Sequence, residues 1–121
     1  MKNTIKLNFI LLFLLSEILL FAQSNSDIKR TAHQNYQTGN FKGASDIYEN
    51  LWGRVSFNKN ELLEAAEAFR LNHKLDLSID ALQSFLKKSR HKQKYLLQLA
   101  RTMQYQKQFY NAAIVYKDYL K

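Results

Sequence analysis

The histidines and carboxylates of this chain are the side chains that could support hydrolytic or metal-assisted chemistry. The three histidines are His33, His73 and His91, and the sequence contains no cysteine. Their spacing gives no His-x-x-x-His pair and no Glu-x-x-His pair, so no set of metal ligands is predicted. The sequence also has no phosphate-binding glycine loop and no Gly-x-Ser-x-Gly motif. We therefore expect no enzyme activity and no catalytic, metal-binding or cofactor-binding residues.

Three carboxylates at regular spacing are the strongest remaining candidate for catalysis. Glu61, Glu64 and Glu67 recur at every third position in a helix-favouring stretch. Paired carboxylates can act as a general acid and a general base. Because no second group of polar residues converges on them in the sequence, we favour the interpretation that they form the solvated edge of a helix.

A basic cluster at residues 87–94 is the most prominent charge feature. It contains five Lys or Arg residues and His91 but no acidic residue, in a chain of net charge +8. Such a cluster could bind nucleic acid or another anionic surface. It also falls in a predicted turn between two helices, where long charged side chains are readily solvated. We favour the solvated turn and keep the anionic-surface binder as the alternative function.

These residues are positioned by a pattern that recurs at a constant interval along the chain. One helix face carries Phe41, Ala44, Tyr48 and Leu51 at spacings of three, four and three. The two later copies of this face are Leu75, Ser78, Leu82 and Phe85, and then Phe109, Ala112, Tyr116 and Tyr119. A small residue also recurs upstream of each face, at Ala32, Ala66 and Ala100. We expect these alanines to face Ala44, Ser78 and Ala112, so that paired helices approach closely.

The pattern predicts six helices, with bounds of about 27–37, 42–52, 61–72, 77–88, 93–106 and 109–120. Ser26 or Asp27 is expected to cap the first helix and Asp76 the fourth. Gly53 is expected to end the second helix. The chain has no proline and three glycines, which favours long helices over sheet.

A helix–turn–helix unit of about 34 residues with this pattern resembles the tetratricopeptide repeat. The resemblance divides the chain into units at 25–58 and 59–92 and an incomplete third unit at 93–121. It implies an all-α fold, a right-handed α-solenoid of antiparallel helix pairs. Gly39 stands at the expected turn glycine, whereas His73 and Lys107 occupy that position in the later units. Ser56 and Arg90 replace the proline that often closes a unit.

In tetratricopeptide arrays the first helix of each unit lines the concave face. The resemblance therefore implies a binding face that is basic and aromatic with apolar patches, suited to a peptide that offers carboxylates between apolar anchors. Its residues are Lys29, His33, Tyr36, Leu63, Glu67, Arg70, Lys94, Leu97, Arg101 and Tyr105. Some members of the family clamp a C-terminal carboxylate. Lys29 and Lys94 match two clamp positions, but His33, Glu64 and Gln98 do not, so a chaperone-tail clamp is not favoured.

Residues 1–22 differ in kind from the rest of the chain. Lys2 and Lys6 precede an apolar run that is interrupted at Ser16 and Glu17 and ends at Ala22. This arrangement is typical of a secretory signal peptide that is cleaved before Gln23. The alternative is an uncleaved inner-membrane anchor, but the run is short for a span and Glu17 would lie in the hydrocarbon.

The last predicted helix is too apolar to have water on all but one side. Self-association, another protein, or further sequence of a longer gene product could cover it. Taken together, these features predict an exported protein of the bacterial periplasm or outer membrane that binds other proteins as a scaffold, either alone or as the N-terminal module of a larger protein.

Overall fold

The computed structural model describes the backbone of residues 2–90 and 92–121, and the side chains of residues 4–17, 24–90 and 92–121. Six α-helices account for most of these residues: α1 Lys2–Gln37, α2 Phe41–Leu51, α3 Lys59–Leu71, α4 Leu75–Lys88, α5 Gln93–Tyr105 and α6 Phe109–Tyr119. The described residues contain no strand. The prediction of an all-helical protein is therefore confirmed.

Helices that are neighbours in sequence pack against each other. The most extensive contacts lie within the pairs α1–α2, α3–α4 and α5–α6, and smaller contacts join α2 to α3 and α4 to α5. Each pair therefore packs mainly on the pair before it and the pair after it. This arrangement is compatible with a helical repeat.

The turns inside the three pairs share one backbone conformation. Gly39, His73 and Lys107 stand at equivalent positions of the repeated pattern and have φ values of +85°, +58° and +60°. A positive φ suits glycine and strains other residues. The geometry of the turn is therefore retained along the chain even where its glycine is replaced.

Backbone hydrogen bonds explain how the two non-glycine turns hold this conformation. After each turn residue, the next amide donates to the carbonyl of the fifth residue before it. The N···O distance is 2.8 Å at Asn40, 2.8 Å at Lys74 and 2.9 Å at Gln108. These bonds satisfy carbonyls at the helix ends that would otherwise lack partners. The strain at His73 and Lys107 is thus offset by the same bond that Asn40 makes after Gly39.

Small residues lie at the centre of each pair, as predicted. All six positions are almost fully buried: Ala32, Ala44, Ala66, Ser78, Ala100 and Ala112. Ser78 Oγ donates a hydrogen bond of 2.9 Å to the carbonyl oxygen of Ala66. The predicted contact between these two residues is therefore confirmed, and it satisfies the one hydroxyl in this set of positions.

Larger side chains fill the core between the pairs. The rings of Trp52 and Phe69 meet edge to face with centroids 5.6 Å apart, and Phe85 meets Tyr95 at 4.7 Å. Tyr48, Phe69 and Leu82 are the largest fully buried apolar side chains among the described residues. Such contacts join α2 to α3 and α4 to α5, so the core runs along the series of pairs.

The predicted start of the first helix is wrong. Ser26 and Asp27 do not cap a helix, because α1 continues through them without a break. The preceding residues include no proline or glycine and many good helix formers, so nothing ends the helix there. Asp27 instead lies 3.3 Å from the guanidinium of Arg30.

Two other predicted helix ends can be compared with the structure. Asp76 is not a cap, since α4 begins one residue earlier and Lys74 holds the N-cap position without a side-chain bond. The Asp76 carboxylate lies in the first turn of α4, where its negative charge interacts favourably with the positive end of the helix dipole and stabilises the helix. Gly53 follows the C-cap Trp52 with φ +77°, so the predicted end of the second helix is confirmed.

The N-terminal half of α1 carries exposed apolar side chains. Phe9, Leu12 and Phe13 are 73%, 65% and 65% exposed. No helix among the described residues has the length and apolar character needed to span a membrane. The predicted cleavage point after Ala22 lies among residues whose side chains are not described.

Candidate peptide-binding groove

One groove runs along α1, α3 and α5. Its volume is about 840 Å³. Eight of the ten residues predicted for a binding face line it: Tyr36, Leu63, Glu67, Arg70, Lys94, Leu97, Arg101 and Tyr105. The groove is therefore the place where the predicted residues come together.

Helical spacing explains why these side chains share one surface. On α3, Leu63, Glu67 and Arg70 follow each other at intervals of four and three. On α5, Leu97, Arg101 and Tyr105 follow each other at intervals of four. Residues at these intervals lie on one helix face. Helices α3 and α5 thus each contribute a leucine and at least one charged residue to the groove, and α1 contributes Tyr36.

Arg70 is the groove cation that an acidic side chain neutralises. Its Nε and Nη2 donate to the two carboxylate oxygens of Glu67 at 3.0 and 2.6 Å. This bidentate contact raises the pKa of Arg70. Burial and then the Glu67 carboxylate raise the pKa of Tyr36 above its ordinary value. Tyr36 is therefore a neutral donor at physiological pH.

Lys94 and Arg101 supply positive charge that the described residues do not balance. Both side chains are exposed, and no described carboxylate lies within 4.0 Å of either. Lys94 Nζ lies 5.7 Å from the centroid of the Tyr95 ring. Tyr105, which is 83% exposed, follows Arg101 by one turn of α5. The α5 side of the groove therefore presents two cations next to aromatic surface.

The structure places Lys29 and His33 outside the groove. Lys29 Nζ donates to the carbonyl oxygen of Ser56 at 2.6 Å and lies 3.1 Å from Glu61 Oε2. His33 Nδ1 lies 2.7 Å from Glu64 Oε2. Both side chains are thus held against the N-terminal half of α3 and the residue Ser56 before it, where they join α1 to the second helix pair.

The three regularly spaced carboxylates have separate structural partners. Glu61 completes a capping box with Asn58, and Glu67 binds Arg70. Glu64 accepts a hydrogen bond of 2.5 Å from the buried Tyr48 hydroxyl. Burial, and then this bond, raise the pKa of Tyr48 far above its ordinary value. The carboxylates do not converge on one point, and no group of described residues could hold a metal ion.

The basic cluster is divided between a turn and two helix ends. Helix α4 ends at Lys88 and α5 begins at Gln93, so the predicted turn between them is present. Lys88 Nζ donates to the carbonyl oxygen of Phe57 at 3.1 Å, and Lys94 lines the groove. Lys87 and Lys92 are exposed. His91 lies outside the described residues.

Five further residues line the groove that the sequence analysis did not predict: His73, Leu75, Tyr95, Gln98 and Thr102. Three of these residues are next to predicted residues on α5, namely Tyr95, Gln98 and Thr102. A prediction that took a wider face of α5 than the one through Leu97 and Arg101 would have included them. His73 lies in the turn after α3 and Leu75 at the start of α4, so neither belongs to the first-helix faces from which the sequence analysis drew its binding residues.

A second, smaller groove of about 490 Å³ lies between α4 and α6, and the sequence analysis also missed it. It is lined by apolar residues such as Ile79 and Val115 and by the carboxylates Asp76 and Asp80.

Comparison with known protein families, curated proteins and solved structures gave no match to this chain.

Proposed function

We propose that this protein is a non-enzymatic interaction module that binds a peptide segment of a partner protein in the groove along α1, α3 and α5. The observation that carries the proposal is the pair of cations, Lys94 and Arg101, which lie beside Leu97 and Tyr105 and have no carboxylate within 4.0 Å among the described residues. A peptide with carboxylates between apolar side chains would satisfy the charges and cover the apolar surface.

The proposed architecture is a tetratricopeptide-like, right-handed solenoid of antiparallel helix pairs. Its support is the recurrence of the left-handed turn and of the small buried residues at one constant interval. In such a solenoid, the groove is the concave face formed by the first helix of each pair.

The proposed location is the bacterial cell envelope, in the periplasm or at the outer membrane. This part depends on residues 1–22 acting as a cleaved signal peptide, and the alternative is that they anchor the protein in the inner membrane. There the protein would hold other proteins together as a scaffold, alone or as the N-terminal module of a longer protein.

Fluorescence anisotropy with labelled peptides tests the proposed binding. The probes are a short extended peptide of alternating Leu and Glu and a matched peptide of alternating Leu and Lys. The full chain is expected to bind the acidic peptide more tightly. Arg101→Glu is expected to weaken that binding about tenfold, since a charge-assisted hydrogen bond contributes ~1.5 kcal/mol.

Lys117→Glu is the matched control, because Lys117 is an exposed cation on α6, outside the groove. It makes the same charge change and is expected to leave binding within about twofold. Equal loss in both variants would show that net charge alone governs binding and would contradict the proposal.

The alternative function is the binding of an anionic surface or nucleic acid through the basic cluster, and the exposure of Lys87 and Lys92 favours it. Salt dependence separates the two functions. An electrostatic complex with nucleic acid weakens steeply between about 50 and 200 mM salt, about 10³-fold or more for six phosphate contacts. Peptide binding with apolar anchors should weaken far less, and Lys87→Glu with Lys92→Glu should leave it unchanged.

A further inference from the structure

A lysine bridges the second helices of the first two pairs, α2 and α4. Lys74, at the N-cap of α4, lies 3.1 Å from the Asp46 carboxylate and also pairs with Glu49 on α2. Lys42, one helical turn before Asp46, pairs with the same carboxylate at 3.1 Å. Hydrogen bonds from Lys42 and then from Lys74 lower the pKa of Asp46. Two cations thus neutralise this carboxylate.

The equivalent place between α4 and α6 retains the carboxylate but lacks both cations. Asp80 stands 34 residues after Asp46, at the same position of the repeated pattern. The positions that correspond to the two lysines hold Asp76 and Gln108. No described Lys, Arg or His nitrogen lies within 4.0 Å of either carboxylate on α4. Asp76 accepts a hydrogen bond of 2.7 Å from the Gln106 amide. Asp80 is therefore the equivalent of Asp46 without its ion pairs.

Both carboxylates line the groove of about 490 Å³ between α4 and α6. Asp76 and Asp80 are exposed, and the residues that line this groove include no Lys, Arg or His. Ile79 and Met103, which are buried, and Val115, which is half-buried, add apolar surface. In a chain of net charge +8, the groove thus combines negative charge with apolar surface. A lysine or arginine side chain, with its apolar stem and charged head, matches this combination.

The accessibility of this groove does not depend on where the chain ends. In the equivalent place, the side chains of Asp46 and Glu49 are 49% and 47% exposed although two helix pairs follow α2. By the same register, one more pair after α6 would leave Asp80 accessible. The groove also shares no lining residue with the groove along α1, α3 and α5.

We propose that the α4–α6 groove binds a basic peptide segment of a partner protein, with a Lys or Arg side chain of that segment in the place that Lys74 takes between α2 and α4. Its stem contacts Ile79 and Val115, and its charged head pairs with Asp80. Asp76 and Asp80 lie one helical turn apart and repel each other, so a cation bound between them relieves this repulsion. The protein then holds two segments of opposite charge in two separate grooves.

Fluorescence anisotropy of the full chain with a labelled peptide of alternating Leu and Lys tests this site. The comparison peptide has the same sequence with acetylated lysines, which keep their stems but lose their charge. The chain is expected to bind the charged peptide saturably and more tightly than the acetylated one. Asp80→Asn is expected to weaken binding about three- to tenfold, because it removes a charged partner at an exposed position.

Asp27→Asn is the matched control for charge, because Asp27 is an exposed carboxylate on α1 and lines neither groove. It makes the same substitution and should leave binding of the lysine peptide within about twofold. Equal losses in Asp80→Asn and Asp27→Asn would show that net charge governs binding and would overturn the proposal.

Gln108→Lys restores the lysine that the first junction contains. Gln108 holds the N-cap of α6 with φ −85° and ψ 63°, close to the −93° and 69° of Lys74, so the backbone accommodates the change. The new lysine should pair with Asp80 and compete with the peptide, which weakens binding about three- to tenfold. Circular dichroism checks the fold.

Gln34→Lys is the control for the added charge, because Gln34 is exposed on α1 and lines neither groove. It should leave binding of the lysine peptide within about twofold. Gln108→Lys that weakens binding no more than Gln34→Lys would overturn the proposal.

Binding of the acidic peptide separates this site from the α1–α3–α5 groove. Asp80→Asn and Gln108→Lys should leave that binding within about twofold, so the two grooves can fail independently. Sedimentation over a concentration series distinguishes a partner from a second copy. The wild-type chain should not associate through this groove. A dimer that Asp80→Asn or Gln108→Lys dissociates would assign the groove to another copy of the chain and overturn the partner proposal, as would the absence of saturable binding of the lysine peptide.

Discussion

Replacing the two strained turn residues by glycine should stabilise the protein. His73 and Lys107 adopt φ values of +58° and +60°, and both side chains are exposed. The left-handed conformation costs a non-glycine residue about 1–2 kcal/mol. Glycine removes this strain but adds freedom to the unfolded chain, which costs about 0.4–1 kcal/mol. From the difference of these two effects, we expect each substitution to raise the free energy of unfolding by about 0.5–1 kcal/mol.

Gly39→Ala is the reciprocal change in the first pair. A methyl group there would meet no atom within 4 Å, so the backbone conformation alone determines its cost. We expect the opposite sign and a similar size. Lys87→Gly, at an exposed position in the last turn of α4, should be neutral to destabilising by up to ~1 kcal/mol.

Thermal and urea unfolding followed by circular dichroism measures this series. For a domain of this size, ~1 kcal/mol corresponds to a change in Tm of about 4–8 °C. The reasoning is refuted if His73→Gly and Lys107→Gly lower Tm as glycine does inside a helix. The reasoning is also refuted if Gly39→Ala raises the Tm.

Three further experiments test the close packing at Ala66, the ionisation of the buried Tyr48 and the helical content of the chain. Ala66→Leu should lower the free energy of unfolding by about 1–3 kcal/mol, because Ala66 is 1% exposed and its carbonyl oxygen accepts a hydrogen bond from Ser78. An unchanged midpoint in urea unfolding would contradict the close approach of α3 and α4 at these two residues. Tyr48 keeps its proton in the folded state above pH 10 whereas the unfolded chain releases it, so stability should fall as pH rises above about 10, by up to ~1.4 kcal/mol per pH unit. Tyr48→Phe should show a shallower loss in urea unfolding above that pH, and equal slopes would contradict the assignment. The far-ultraviolet circular dichroism of the segment from Gln23 should be dominated by helix, and an appreciable sheet signal would contradict the fold.

The repeated register could be predicted because it depends on side-chain size. Ala66 and Ser78 recur at positions where helices meet, and a larger side chain at either would force the helices apart. The same repeat spacing located Gly39, His73 and Lys107 at equivalent turns. That His73 and Lys107 would hold a glycine-like φ was not evident from their identities, because backbone hydrogen bonds determine it.

The start of α1 and part of the groove could not be predicted from local sequence. Ser26 and Asp27 are good capping residues, but capping also requires that the preceding chain leave the helix, and nothing upstream causes it to do so. Lys29 and His33 have the spacing of groove residues, yet Glu61 and Glu64 hold them elsewhere. Such contacts between distant residues do not appear in helical periodicity.

Chemical-shift mapping by NMR tests the proposed groove most directly. The full, ¹⁵N-labelled chain is titrated with the peptide of alternating Leu and Glu. The account predicts that the largest amide shifts occur on one face of α3 and α5, around Leu63, Arg70, Leu97 and Arg101. Shifts concentrated on α6 or on residues 87–92, or no saturable shift at any site, would contradict it.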